Sequence, residues 1–211
     1  MMKRIVPVLA LFGLVLAICS MARAAPSPAA AAGKAETIIL GGGCFWGVEA
    51  VYEHVKGVIR ATSGYAGGKA DTAFYGYVSE GNSGHAEVVQ ITFDPAQVNL
   101  NQLLDVYFKV AHDPTELNRQ GPDIGTQYRS EVFVTSSDQE KIVKEKIAQL
   151  NAAKIYSQPI VTVVGALQTF YPAEDYHQNY LPSHLSNPYI VMHDLPKLAK
   201  LRVNYPELYK D

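Results

Sequence analysis

The segment that most constrains the fold is GGGCFW at residues 41–46, because three glycines lead directly into a cysteine and two aromatic residues. The preceding apolar run, TIIL at residues 37–40, predicts a buried β-strand that stops at the glycines. After the segment, four apolar residues at helical spacing predict a helix, with Gly57 just past its end: Val48, Val51, Tyr52 and Val55. Cys44 is therefore expected where a buried strand turns into a helix N-terminus.

The rest of the chain predicts an alternation of strands and helices. Further strands are expected at residues 58–65, 85–93, 131–135 and 160–164, with 166–170 continuing the last strand or forming a hairpin with it. Helices are expected at residues 71–79, after an N-cap at Asn99, and from a capping box of Ser137 and Glu140 to Leu150. The order β-α-β-β-α, then β-α-β, predicts an α+β domain with helices packed on a mixed or antiparallel sheet.

A long polar passage, residues 112–129, contains prolines and glycines but shows no periodicity. Passages of this length inside a compact domain are usually functional or disordered.

Residues 1–24 have the pattern of a secretory signal peptide. Lys3 and Arg4 precede a 14-residue apolar run, and residues 22–24 (ARA) offer a small-x-small cleavage site. The run is short for a membrane span, which takes about 20 residues. The alternative is a lipidation signal ending at Cys19, although the isoleucine before it is bulky for that pattern. We expect cleavage after Ala24, a Pro/Ala-rich linker at 25–35, and a periplasmic or secreted protein without membrane attachment.

Cleavage would leave Cys44 as the single cysteine, so an internal disulfide could not form. It would also leave 15 basic and 20 acidic side chains, a net charge of −5 that gives no indication of nucleic-acid binding. A lone thiol in an exported protein is either reactive or deeply buried.

Cys44 has a reactive and a structural interpretation. The unpaired N–H groups at a helix start stabilise an anion, which predicts a thiolate of lowered pKa and raised reactivity. The alternative is a buried structural cysteine. Phe45 and Trp46 could likewise be core residues, or could line a small apolar cup beside the thiol.

Glu87 lies in the strand predicted at 85–93, where alternate side chains share a face. The residues on its face are Val89, Ile91 and Phe93, so the carboxyl is expected to point toward the core. Burial raises the pKa of a carboxyl, and a carboxyl that stays protonated near neutral pH can act as a general acid. The alternative places Glu87 at a sheet edge, in water.

The remaining candidates carry weaker signals. Tyr75, Asp123 and Tyr128 read from pattern alone as surface or loop residues, and His85 as a structural histidine. The six histidines show no metal-binding spacing, and one cysteine cannot build a thiolate zinc site, so no metal is expected. GGG before a cysteine lacks the spacing of a dinucleotide site.

Five blocks in order resemble the A-type peptide methionine sulfoxide reductase (MsrA) family: GGCFWGVEAVYEHVKGV, GYAGG, GHAEVVQITFDP, HDPTELNRQGPDIGTQYRS and FYPAEDYHQNYL. The resemblance implies a reductase domain at residues 36–190 with a ferredoxin-like α/β plait. It implies the thiol-dependent reduction of the S epimer of methionine sulfoxide, free or in oxidised proteins, through a sulfenic acid on Cys44. For an exported protein, this implies repair of oxidatively damaged exported proteins.

The resemblance also assigns roles. It makes Cys44 the nucleophile, Glu87 the acid that protonates the sulfoxide oxygen, and Phe45 and Trp46 the pocket for the S-methyl group. Asp123, Tyr128 and Tyr75 would hold the oxygen and complete the site. Around Tyr75 the text TAFYGYVSEG departs from the family's usual wording, which leaves Tyr77 as an alternative.

The second departure is at the C-terminus. The tail, residues 191–211, lacks the recycling cysteines that many family members carry, although residues 195–201 are helical in pattern. An outside thiol, expected to be a thioredoxin-like protein, would therefore reduce the sulfenic acid. We expect a monomer without a bound cofactor.

Two other functions stay open at the level of sequence. One is a cysteine hydrolase or acyltransferase with His85 or His177 as the base, which would need no reductant. The other is a non-catalytic peptide-binding module that uses the aromatic cup.

Overall fold

The computed structural model describes Met2 and residues 34–211. The predicted signal peptide and most of the predicted linker lie outside the described residues. Within these residues, six strands form the main sheet, and β4 and β5 form a separate two-stranded pair. The strands are β1 Glu36–Gly41, β2 Val58–Ala66, β3 Ala86–Phe93, β4 Arg119–Gln120, β5 Asp123–Ile124, β6 Glu131–Val134, β7 Val163–Ala166 and β8 Phe170–Pro172. The helices are α1 Phe45–Glu53, α2 Tyr75–Val78, α3 Leu100–Val106, α4 Ser137–Ala152, α5 Tyr180–Ser183 and α6 Leu195–Asn204.

The sheet has the order β7-β6-β1-β3-β2-β8, and only the β6–β7 pair is parallel. Its central part, β6-β1-β3-β2, is connected β-α-β-β-α-β through α1 and α3, which is the ferredoxin-like arrangement. The predicted α+β class with a mixed sheet is confirmed.

The core lies on both faces of the two central strands. On one face, Ile38 and Leu40 of β1 pack with Val89, Ile91 and Phe93 of β3. On the other face, a smaller cluster contains Ile39, Ala66, Ala86, Val88 and Phe133. Glu87 belongs to the face of the larger cluster, as its position in the alternation predicts.

Three element predictions are wrong in detail. The helix expected at 71–79 is broken into a 3-10 turn, Ala70–Thr72, and α2, because Phe74 has an extended backbone with φ of −150°. The N-cap of α4 is Ser136, one residue before the expected Ser137, and its side chain accepts from the Gln139 N–H at 3.2 Å. The Gln139 side chain accepts from the Thr135 N–H at 3.0 Å, so it does not close a capping box with Ser136. The strand expected at residues 160–164 is β7, which begins at Val163. The next strand, β8, was expected to continue it or to form a hairpin with it, but β8 pairs with β2 on the opposite edge of the sheet.

The helix indicated by the pattern of residues 195–201 is confirmed. α6 covers the residues that look helical in the sequence and follows a π-helical turn, Ile190–Asp194. Among the residues that the structure describes, no helix combines the length and the apolar character that crossing a membrane would require.

Candidate active site

Cys44 is the N-cap residue of α1 and is 8% exposed. The glycines before it allow close packing of the turn from β1. A Cβ on Gly42 would fall 2.7 Å from the His112 ring, and one on Gly43 would fall 2.7 Å from Gln120 Cγ. Gly43 also has φ of +87°, a conformation that favours glycine. The three glycines therefore allow the chain to turn tightly from β1 into α1, and this turn places the thiol at the helix start.

A cavity of about 150 Å³ opens beside the thiol. All seven site residues predicted from the sequence line it, together with Tyr189, which was not predicted: Cys44, Phe45, Trp46, Tyr75, Glu87, Asp123 and Tyr128. Tyr77 does not line this cavity; it is 47% exposed and packs edge-on against Phe74. The structure thus brings Tyr75, and not Tyr77, to the candidate site.

The Glu87 carboxyl lies in the interior, 2% exposed, on a central strand of the sheet. The alternative that placed it at a sheet edge is therefore wrong. Burial raises its pKa to about 8, the Phe45 N–H that donates to Oε2 at 3.1 Å opposes this rise, and the Asp123 carboxylate adds to it. At neutral pH, Glu87 is a protonated acid next to the cavity.

The predicted lowering of the Cys44 pKa is wrong. Burial raises the pKa of the thiol well above its usual value, and the carboxylates of Glu87 and Asp194 raise it further. The Trp46 N–H in the first turn of α1 and the Lys197 ammonium lower it, but by less. The helix start favours the thiolate, as expected, but desolvation outweighs it.

Trp46 forms part of an aromatic wall of the cavity, and three neighbouring rings hold it in place. Its Nε1–H donates to His177 Nδ1 at 3.1 Å, and its ring stacks on Tyr180 with the ring centroids 3.8 Å apart. The Tyr189 ring is nearly perpendicular to it, with the centroids 6.2 Å apart. Phe45 is fully buried beside Trp46. The predicted apolar cup is thus a rigid aromatic surface, because hydrogen bonding and stacking together fix the indole.

Hydroxyl and carboxyl groups line the rest of the cavity. The Tyr189 hydroxyl donates to Asp123 Oδ2. Burial raises the pKa of Tyr75 and of Tyr128, so both hydroxyls keep their protons and can donate hydrogen bonds. Asp123 lies in β5 and Tyr128 in the 3-10 turn Thr126–Tyr128, so the long polar passage brings both of them to the cavity.

Glu174, which is 99 residues after Tyr75 in the chain, holds Tyr75 in place. One of its oxygens accepts from the Tyr75 N–H at 2.9 Å, and the other accepts from the Tyr65 hydroxyl at 2.8 Å. Glu174 and Tyr189 were not predicted as site residues, and His177 was considered only as the base of a hydrolase. The available signal for Glu174 and His177 was their position in the block FYPAEDYHQNYL, whereas Tyr189 lies outside all five blocks.

Neither His85 nor His177, the two histidines considered as the base of a hydrolase, lines the cavity. His85 is 1% exposed, and its Nδ1 and Nε2 contact the Gly68 N–H at 3.2 Å and the Lys69 carbonyl at 2.9 Å, as expected of a structural histidine. His177 accepts from Trp46, and burial lowers its pKa. Within residues 34–211, no group of His, Cys, Asp and Glu could hold a metal ion.

Comparison with known proteins agrees with this geometry. The family model described as peptide methionine sulfoxide reductase matches residues 36–208. The chain is 54% identical over 181 residues to peptide methionine sulfoxide reductase MsrA 2 of Mesorhizobium japonicum, which covers 86% of this chain and 93% of that protein. It is 46% identical to the MsrA 2 of Synechocystis, which covers 83% and 82%.

Solved structures give the same result. Mxr1 of Saccharomyces cerevisiae in reduced form superposes with a TM-score of 0.67 at 34% identity, covering 72% of this chain and 87% of that one. Methionine sulfoxide reductase A of Corynebacterium diphtheriae superposes with a TM-score of 0.62 at 34% identity, covering 72% and 76%. The chain therefore belongs to the peptide methionine sulfoxide reductase family, of the MsrA type.

Proposed function

We propose that this enzyme reduces the S epimer of methionine sulfoxide through Cys44. The thiol sulfur attacks the sulfoxide sulfur while the oxygen accepts a proton from Glu87. The sulfur–oxygen bond of the substrate then breaks and the oxygen passes to Cys44, so that methionine leaves and a sulfenic acid remains. The substrate sulfur gains two electrons and the cysteine sulfur loses them, while the thiol proton replaces the one that Glu87 gave.

Glu87 is suited to this role because its pKa of about 8 keeps it protonated at neutral pH. A sulfoxide bound in the cavity would accept a hydrogen bond from the neutral carboxyl. Proton transfer to the oxygen makes the sulfur more electrophilic at the moment of attack, which is the effect of a general acid.

The aromatic wall supports selection of the substrate. Trp46 and Phe45 offer an apolar surface that suits an S-methyl group, and Tyr75 and Tyr128 offer hydroxyl donors for the oxygen. A chiral sulfoxide with methyl, oxygen and side-chain positions fixed in this way presents only one face of its sulfur to Cys44. This supports a preference for one epimer, which we propose is the S epimer, in oxidised proteins or as the free amino acid.

Recycling of the sulfenic acid needs a thiol from outside the chain. Residues 25–211 contain no second cysteine, so Cys44 cannot form an internal disulfide once residues 1–24 are removed. We propose a thioredoxin-like protein as the donor, which attacks the sulfenic sulfur, releases water and forms a mixed disulfide on Cys44. The signal-like N-terminus supports export, and hence repair of exported proteins.

The observation that carries the proposal is that the Cys44 thiol and the protonated Glu87 carboxyl line one small cavity with an aromatic wall. The test is to supply the two separate epimers of a methionine sulfoxide peptide with dithiothreitol as reductant. We expect reduction of the S epimer alone, and no reduction by Cys44→Ser, because a hydroxyl is a far poorer nucleophile than a thiolate.

Lys56→Met, at an exposed lysine on the loop after α1, is a suitable control variant and should behave as the wild type. Wild-type turnover by Cys44→Ser would rule out the assigned nucleophile. Equal rates on both epimers would rule out the assigned selectivity.

A further inference from the structure

An ion pair from the C-terminal segment lies against the first turn of α1. Lys197 Nζ is 3.1 Å from Asp194 Oδ1. Asp194 is fully buried, and the side chain of Lys197 is 16% exposed. A buried ion pair is costly to desolvate, and its presence against the helix that follows Cys44 therefore calls for a functional explanation.

The pair occupies the space that the missing side chain of Gly47 leaves. A Cβ on Gly47 would fall 2.0 Å from Asp194 Oδ1 and 2.8 Å from Lys197 Nζ. Gly47 is three residues after Cys44, the N-cap residue of α1, so about one helical turn separates the two residues. Both charges therefore lie about one helical turn from the carbon that carries the nucleophilic sulfur.

The carboxyl of this pair is incompletely bonded. Within the described part of the chain, Asp194 Oδ2 is buried and has no hydrogen-bond partner. Among the described residues, Lys197 is therefore the one hydrogen-bond partner of the Asp194 side chain, and the carboxylate in turn holds the ammonium against the helix.

The other ionisable groups around Cys44 are acidic, hydroxylic or neutral. Within residues 34–211, the ionisable groups that act on Cys44 or line its cavity come from the strands, the polar passage, α2 and the C-terminal segment, and Lys197 is the one cation among them: Glu87, Asp194, Asp123, Tyr75, Tyr128, Tyr189 and Lys197. His112, which Lys197 also acts on, is buried with a pKa of about 4 and is neutral at neutral pH.

We propose that Lys197 is a positioning residue of the reductase reaction, whose positive charge, held by Asp194 against the first turn of α1, offsets part of the negative charge that acts on Cys44. The inference deepens the proposed function, since it names a charge outside the cavity that favours the thiolate of Cys44. The C-terminal segment, which in this chain carries no recycling cysteine, thus acts on Cys44 by charge.

The test is the pH dependence of iodoacetamide alkylation at Cys44, followed in the reduced full chain by peptide mass spectrometry, which separates Cys44 from Cys19. Lys197→Met should slow alkylation about tenfold at a pH below the midpoint and move the midpoint up by about one pH unit. Asp194→Asn should move it in the opposite direction, because removing the carboxylate leaves the ammonium unopposed. Lys197→Arg keeps the charge and should stay near the wild type.

Lys200→Met is the matched control, one turn further along α6 and exposed, and should leave the midpoint unchanged. A structural role alone would move the Lys197→Met and Asp194→Asn midpoints in the same direction or move neither, and either result would overturn the proposal. If Asp194→Asn does not fold, the contrast between Lys197→Met and Lys197→Arg decides. Alkylation does not depend on sulfoxide reduction, so failure of the proposed function would appear separately, as a wild type without reductase activity.

Discussion

At the scale of single residues, Glu87 combines a buried carboxyl with a cavity that it shares with a thiol. Glu87→Gln keeps an oxygen that can accept from the Phe45 N–H but has no proton to transfer to the sulfoxide. We expect the reductase step to slow by roughly 100- to 10,000-fold with little change in substrate binding. Single-turnover kinetics measure the step directly, and an unchanged rate would exclude Glu87 as the acid.

The same carboxyl should set the pH dependence of the reaction. Above a pH of about 8, Glu87 loses its proton, and its negative charge further raises the pKa of Cys44. The wild-type rate of the reductase step should therefore fall as pH rises through about 8. In Glu87→Gln, the slow residual rate should lack this fall. A wild-type profile that stays flat to pH 9 would contradict the assignment.

Glu87 should also link stability to pH. Its folded-state pKa of about 8 exceeds the usual 4.5, so between these values the folded protein keeps a proton that the unfolded chain has lost. The free energy of unfolding should therefore decrease as pH rises through this window, by at most about 1.4 kcal/mol per pH unit.

Urea unfolding of the wild type and of Glu87→Gln at pH 5 and pH 9 measures this contribution. The variant should gain stability relative to the wild type by a few kcal/mol between the two pH values. Glu49, whose pKa burial raises to about 7, titrates in the same window but is present in both proteins, so its effect cancels in the difference. An equal pH dependence in the two proteins would show that Glu87 is not buried in solution.

Some properties of these residues could be predicted from the sequence, and others could not. The alternation in β3 predicted the burial of Glu87, because strand periodicity is local and strong. The direction of the Cys44 pKa was wrong, because the helix start is visible in the sequence but the amount of surrounding protein is not. Tyr189 and Lys197 were not assigned, because their contacts with Asp123 and with the turn after Cys44 join segments far apart in the chain.

At the scale of elements, α1 and the C-terminal segment fit together at Gly47. Gly47→Ala would place a methyl group 2.0 Å from Asp194 Oδ1, and the buried carboxylate would have to move. We expect a loss of about 1–3 kcal/mol in the free energy of unfolding, which is usual for overpacking. Urea unfolding followed by circular dichroism measures it.

Gly76→Ala is the control for Gly47→Ala. It lies in the short helix α2, where a Cβ would meet only the Phe74 ring at 3.6 Å, an ordinary contact. Alanine is also the better helix former, so stability should stay level or rise by up to about 1 kcal/mol. If both variants behave alike, the close contact between Gly47 and Asp194 is absent in solution.

The elements themselves were largely predictable, and the exceptions have physical causes. The strand and helix order followed from periodicity, and the Asn99 N-cap of α3 is confirmed, with its side chain accepting from the Gln102 N–H at 3.0 Å. The N-cap of α4 lies one residue earlier than predicted because Ser136 and Ser137 can both cap a helix. In the structure, Ser136 has the extended backbone of an N-cap residue. The place of β8 could not be predicted, since its partner β2 is set by tertiary pairing.

At the scale of the whole molecule, the single thiol of residues 25–211 fixes the stoichiometry of the reaction. The mature protein with excess substrate and no reductant should release about one methionine per enzyme, since one thiol is oxidised to one sulfenic acid. Dimedone should then label Cys44 once, and a thioredoxin-like protein should restore turnover. Release of two equivalents, or a disulfide to a retained Cys19, would contradict this prediction.

The only tryptophan of the chain is Trp46, which lies in the wall of the cavity, bonded to His177 and stacked on Tyr180. Excitation at wavelengths that tyrosine does not absorb therefore gives an emission signal from the active site alone. Binding of a sulfoxide, or oxidation of the neighbouring sulfur, changes the polarity around this one indole and should be visible as a change in its fluorescence without any attached dye. The emission of Trp46 can therefore be followed in real time during a single turnover.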